Sequence, residues 1–412
     1  MTQSHALESR PGARGGGRRT RFGAWLAAVA LVGCLGAPGV PPALSATDVF
    51  IVQGVDVDVT ADTAAQARDR ALVQGQAEAL RRLFSRLALA AHGDRLPEVA
   101  PERVTNLVRD FEVANEKTST TRYLATLRVR FKPDPIRNLL REHEVGFAET
   151  PSKPLLVLPV YGVARALALW DEPNPWREAW LMLRVADGLV PLVHPLGDLQ
   201  DIASIGPEQA VDGNRERLKA IAARYGASDV LIMRAEPRTP EAPSGIDAPE
   251  PWLQVTISRL GTASPEQTRV ESFRRQGEAD DLEFLMNVAS RIVTEIEEQW
   301  KRDNLLRFDT SGEISVVIPI SSLAQWLTVK QRLREVPFIR RSDLLYLSRQ
   351  RAAVRLNFIG DREQLRLALL QKDLILERGP TSWTMHLDSG WPAEGPEPNG
   401  ASSIGRDKPS IP

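Results

Sequence analysis

The densest set of side chains able to do chemistry is Leu169-Trp170-Asp171-Glu172-Pro173-Asn174-Pro175-Trp176-Arg177-Glu178-Ala179-Trp180. Three indoles beside acids and an arginine suit a sugar-stacking or peptide-binding platform, because aromatic faces cover apolar ligand surface while charged neighbours orient it. On that reading Trp170, Trp176, Trp180, Asp171 and Glu172 are the ligand-binding residues. If the platform hydrolyses a glycan, Asp171 and Glu172 take the acid and base roles, since a glycosidase needs only two carboxyl groups about 5–9.5 Å apart. The competing reading is structural. Asn174 caps a helix with Pro175 at its first position, and Trp176 and Trp180, one turn apart, stack into a core. The spacing favours the core.

Other chemistry is sparse. Four histidines outside the first residues, His92, His143, His194 and His386, stand alone, with no His-x-x-x-His pair to hold a metal on one helix face. Glu142-His143-Glu144 is the densest ligand-like cluster, but consecutive helical side chains point about 100° apart and cannot converge on one ion. Asp56 and Asp58 share a strand face opposite Val55 and Val57, the pattern of solvent-facing acids. There is no Gly-x-Ser-x-Gly elbow, no Ser-x-x-Lys and no P-loop. The expectation is a protein without catalytic residues, metal or cofactor.

The elements that carry these residues read as α/β and α+β, in three small domains. Residues 47–150 form an α+β domain. Val55, Val57 and Val59 alternate as a strand, and Asp62 or Thr63 caps a long helix whose small residues Ala64, Ala67, Ala71 and Gly75 lie close to a sheet. Two strands joined by a turn over residues 117–121 follow, then a helix opened by Asp134-Pro135. Residues 151–304 form an α/β domain. Its Leu155-Leu156-Val157-Leu158 run is apolar on both sides, as in a strand buried on both faces. Residues 310–388 run β-α-β-β-α-β, a ferredoxin-like order, with a helix packed through Leu323, Trp326, Leu327 and Leu333 and a second opened by an Asp361/Gln364 capping box. Residues 389–412, rich in Gly, Pro and Ser, read as a disordered tail.

The first 46 residues give an address. Arg14, Arg18, Arg19 and Arg21 precede an apolar run over residues 22–37, shorter than the span of about 20 residues a membrane helix needs, followed by prolines and by Ala43, Ser45 and Ala46. This is the layout of a signal peptide, cut after Ser45 or Ala46, for export to the periplasm. A second cleavage reading uses Leu31-Val32-Gly33-Cys34 as a lipobox, with Cys34 lipidated and tethering the protein to a membrane. Cys34 is the sole cysteine, so no intramolecular disulfide forms, and cutting after Ser45 or Ala46 removes all thiol chemistry. Removing residues 1–46, with five arginines and one acid, moves the net charge from −1 to −5, which leaves no cationic footprint for nucleic acid. The strand at residues 353–358 also lacks the aromatic pair that stacks RNA bases.

The opening strand and long helix (Val55 to Leu87), Lys153-Pro154-Leu155-Leu156-Val157-Leu158-Pro159, the Trp170…Asn174-Pro175-Trp176…Trp180 segment and the β-α-β-β-α-β end together resemble the bacterial domain-of-unknown-function family 2066, uncharacterised exported proteins. The resemblance covers most of residues 48–388 and implies no activity or site. At the level of fold, the first two units are also similar to small α/β domains of flagellar-ring, curli-secretion and amino-terminal Tol-Pal proteins, which implies an assembly or docking role. The functional expectation is an exported, non-enzymatic cell-envelope protein that binds another envelope protein or the cell wall. The alternative is a periplasmic glycan-acting hydrolase built on the carboxylates near residues 170–180.

Overall fold

In the computed structural model the described residues are 48–163, 166–183, 188–238, 252–261, 266–275, 280–306, 310–379 and 382–388. The expected signal peptide, Cys34 and the 389–412 tail lie outside them. The described residues form a mixed α/β protein with three sheets, ten α-helices and one 3-10 turn at Ala90–Arg95.

Alternating valines build β1 (Ile51–Thr60), and the Thr63 hydroxyl accepts the Gln66 amide to start α1 (Ala64–Leu87). A single turn, α2 (Pro101–Val104), leads to the hairpin of β2 (Val108–Thr118) and β3 (Arg122–Phe131), which closes where the Ser119 amide donates to the Arg122 carbonyl. The sheet order is β1-β3-β2, antiparallel throughout. The small stripe on α1 does what its residue types require. A Cβ at Gly75 would overlap Leu127 and Val57, so only glycine lets the helix sit this close to β1 and β3. α3 (Pro133–Glu142) completes this part.

The second sheet is built from β4 (Leu155–Val163), β5 (Ala166–Ala168), β6 (Leu192–Val193), β7 (Asp229–Arg238), β8 (Trp252–Gly261) and β9 (Gln267–Arg274). Its order is β5-β4-β7-β8-β9, with β6 also beside β4, and β4 runs parallel to β7. Five helices accompany it: α4 (Pro175–Met182), α5 (Leu199–Ser204), α6 (Pro207–Val211), α7 (Arg215–Arg224) and α8 (Asp281–Asp303). Leu155 and Val157 enter one core with Trp176, Trp180 and Ile292, whereas Leu156, Leu158 and Val160 enter a second with Leu218 and Ile221. The unbroken apolar run of β4 is explained by burial on both faces.

The third sheet contains β10 (Ser311–Pro319), β11 (Ile339–Leu347), β12 (Arg351–Ile359), β13 (Leu374–Arg378) and β14 (Trp383–Leu387), with α9 (Leu323–Arg334) and α10 (Arg362–Leu370). Its order is β11-β12-β10-β14-β13. The sequence expectation closes the β-α-β-β-α-β order with the segments 374–377 and 383–387; both are strands, and they pair with each other as a hairpin, one strand more than that order counts. β14 inserts beside β10 in parallel, and β13 takes the edge, where Glu377 and Arg378 are exposed. A second difference concerns α9. Trp326, Val329 and Leu333 take its core stripe, while Leu323 and Leu327, expected to pack, are 64% and 54% exposed. The reason is angular: Leu327 sits about 100° round the helix from Trp326.

One apolar cluster runs through all three sheets. Polar ties cross the same boundaries. The Trp300 indole donates to the Thr150 carbonyl, Lys301 Nζ donates to the carbonyls of Ser85 and Ala88, and buried Lys153 pairs with Asp373 and Asp388. Each satisfies a group that would be costly to bury alone. Among the described residues no helix is long and apolar enough to cross a membrane.

Candidate functional site

Asn174 organises the tryptophan segment. Its side-chain carbonyl accepts the Arg177 amide at 2.9 Å and so starts α4, with Pro175 at the first helical position. Its amide nitrogen donates to the carbonyls of Pro159, Ala168 and Leu169, which fastens α4 to the middle of β4 and the end of β5. A buried Asn is affordable here because its donors and its acceptor are all engaged.

That anchoring turns the next helical turn inward, against β4 and α8. Trp176 and Trp180 are fully buried, with ring centroids 5.6 Å apart and planes at 87°. This edge-to-face geometry suits the aromatic quadrupole and adds to the area the rings bury. The Trp176 indole donates to the Met233 carbonyl of β7 at 3.1 Å. Trp180 lies 5.9 Å from the His194 ring, and burial pushes the His194 imidazole below its ordinary pKa. Trp170, at the start of the segment, is half-buried and donates to the Ile205 carbonyl at 2.7 Å. The three rings therefore do not share one exposed face.

The acids are placed differently. Asp171 and Glu172 are exposed on the turn before α4. A cavity of about 10 Å³ is lined by Trp170, Arg177, Trp180 and His194. It has room for one water, against roughly 300–1,000 Å³ for a small-molecule site, and neither acid lines it. The Trp180 indole N–H is buried without a partner, the one unspent polar atom of this cluster.

A polar network beside the segment was not legible in the sequence. Asp201 on α5 is fully buried, accepts from the Gly197 amide and the Tyr225 hydroxyl, and pairs with Arg224, which also grips Asp198. Burial, together with its bond to Asp201, pushes the Tyr225 phenol up to about 12. Arg224 holds the Asp198 carboxyl far below the usual carboxylate range. Asp198 caps α5 and Arg177 donates to the Leu196 carbonyl, so the network pins the 196–204 turn against α4 and α7. Every charge in it is matched. It can position backbone, and it offers no free base.

The other candidates are spent in the same way. Asp58 is held by Arg122 and its carboxyl lies below the ordinary value because of that guanidinium; Asp56 accepts from the Thr126 hydroxyl. His143 closes the end of α3 on the Leu139 carbonyl. Among the described residues no group of three or more His, Cys, Asp or Glu is arranged to hold a metal ion.

Besides Asp171 and Glu172, the segment and the turn it holds leave apolar groups in solvent. Leu181 and Met182 end α4, Leu196 sits on the turn that Arg177 holds, and Leu199 and Ile202 lie one turn apart on α5; all are exposed, from 49% at Ile202 to 86% at Leu199. The chain matches no family model and no curated protein.

Proposed function

We propose that this is an exported, non-enzymatic cell-envelope protein that works as an interaction or assembly module, docking to another envelope protein or to the cell wall. On this reading the chain belongs with family 2066, its leader is removed after Ser45 or Ala46 or lipidated at Cys34, and three α/β units remain, the last a ferredoxin-like sandwich enlarged by one strand. One observation carries the proposal. Around residues 170–202 the buried polar groups of Asn174, Asp201 and Tyr225 are engaged in holding the fold, whereas Leu181, Met182, Leu196, Leu199 and Ile202 stay in water. Exposed apolar groups gathered beside a rigid, satisfied network mark a contact surface more readily than a reaction site. Nucleic acid is not a partner on this account, since β12 carries no stacking aromatic pair and the mature charge is negative.

Cell fractionation with mass determination of the mature amino terminus, combined with incubation of the purified protein with isolated cell-wall glycan, tests the reading. The expected result is a periplasmic chain beginning near Thr47 or Cys34 that releases no sugar. A full-length cytosolic chain overturns export. Release of reducing ends that is lost in the Asp171→Asn, Glu172→Gln variant overturns the non-enzymatic assignment in favour of a hydrolase.

A further inference from the structure

The apolar side chains left in water around α4 and α5 belong to one surface. Leu181 borders the small cavity beside Trp170, His194 and Pro195. Arg177, one turn before it, donates to the Leu196 carbonyl. A Cβ at Gly197 would strike the Arg177 guanidinium and touch Trp170, so the 194–197 turn lies directly against α4. From that turn Leu199 and Ile202 continue along α5. Leu181, Met182, Leu196, Leu199 and Ile202 therefore follow one another from the end of α4, through the turn, onto α5. Single exposed leucines are ordinary on a protein surface, whereas a contiguous run of five large apolar groups marks a contact.

The border of this run is acidic. Glu178 stands three and four places before Leu181 and Met182, on the same side of α4. Asp171 and Glu172 follow Trp170, whose indole reaches the Ile205 carbonyl just past the end of α5. All three acids are exposed and have no ion pair among the described residues. Described residues 166–183 and 188–205 hold five acids and one cation, Arg177. That guanidinium is turned to the Leu196 carbonyl, and Arg224, reaching in from α7, is taken up by Asp198 and Asp201. Residues 184–187 add one arginine and one aspartate, which leaves the net charge unchanged.

We infer that this surface takes an amphipathic segment of a partner protein, its apolar stripe bordered by lysine and arginine; the inference rests on the docking reading above and names the chemistry of the partner. Covering the five apolar side chains supplies the attraction. Cations beside Asp171, Glu172 and Glu178 set the orientation and speed the encounter. The same charges disfavour other occupants. A second copy paired through this face would bring its own unpaired acids toward these, while Arg177 is already engaged. An anionic bilayer attracts basic segments, and this border is acidic. A wall glycan is held by open aromatic faces, and here Trp176 and Trp180 are buried.

Fluorescence-anisotropy titration of the purified protein with two labelled peptides tests the inference. One is a helix-forming peptide with leucine at i, i+3, i+4 and i+7 and lysine on its polar side; the other carries glutamate in place of lysine. The lysine peptide should bind at least about tenfold more tightly, with a preference that shrinks as salt rises. Leu199→Ser should weaken that binding about tenfold at unchanged melting, because residue 199 is already 86% exposed. The double variant Glu172→Lys, Glu178→Lys should turn the preference toward the glutamate peptide. Equal affinity for the two peptides, a preference that the charge reversal leaves in place, or no binding of either overturns the inference. Co-sedimentation with anionic phospholipid vesicles and with isolated cell-wall glycan separates that failure from failure of docking itself. Uptake of vesicles or glycan that Leu199→Ser removes keeps the docking surface and overturns the basic protein partner; no response of any probe to Leu199→Ser overturns both.

Discussion

At the scale of single residues, the groups that resemble catalysts are held by partners that define the fold. Glu297 on α8 is the clearest case. It is largely buried, accepts the amides of Leu189 and Val190 at 3.0 and 2.8 Å, and would collide with any side chain at Gly188. Burial raises its carboxyl above the ordinary value of 4.5, against the pull of those two amides and of Lys301. A raised pKa means that the folded chain binds this proton more tightly than the unfolded chain. The stabilising contribution is therefore complete below pH 4.5 and is lost as the pH rises through the folded value. Glu297→Gln is expected to cost more melting temperature near pH 4.5 than at neutral pH, and a deficit that stays constant across that window contradicts the assignment. Asn174 and its cap were readable from the Asn-Pro spacing, because capping is local. The Asp201–Arg224–Tyr225 set was not, since Asp201 lies more than twenty positions from the adjacent Arg224 and Tyr225 and only the packing of α5 on α7 joins them.

At the scale of elements, periodicity carried most of the information, and it failed where two faces compete. β1, β3 and the buried β4 follow directly from alternating or continuous apolar runs. On α9 two apolar stripes were available, Leu323-Leu327 and Trp326-Val329-Leu333, and a pattern of types alone does not say which one the sheet covers. The β13–β14 hairpin shows the same limit. A period of two identifies each strand but leaves its neighbour open, so the parallel insertion of β14 beside β10 was not legible. Short pieces such as α5, α6 and β5 hold too few turns or pleats to give a period. For α4 the packing yields a quantitative expectation. Replacing Trp176 and Trp180 with alanine should each cost about 3–5 kcal/mol, since a fully buried aromatic leaves a cavity the core cannot refill. Chemical denaturation of the two single variants reads this directly; wild-type stability in either would mean that the ring is not part of the core.

At the scale of the whole molecule, three sheets drain into one apolar cluster, with α8 and the 149–153 segment at their junction. A frame tied together in this way holds its surfaces in fixed relation, which is what a docking module requires and what a hinged active site would lack. The docking reading rests on the contrast between the engaged polar network of Asp201, Arg224 and Tyr225 and the exposed apolar rim beside it. Photo-crosslinking inside intact cells tests it most directly, with a photoreactive amino acid at Leu199 in the rim and, as control, at Lys219 on the exposed side of α7. The account predicts a discrete crosslink to one envelope component from position 199 and none from position 219. Identical patterns from both positions, or crosslinks to cytosolic proteins alone, would contradict it.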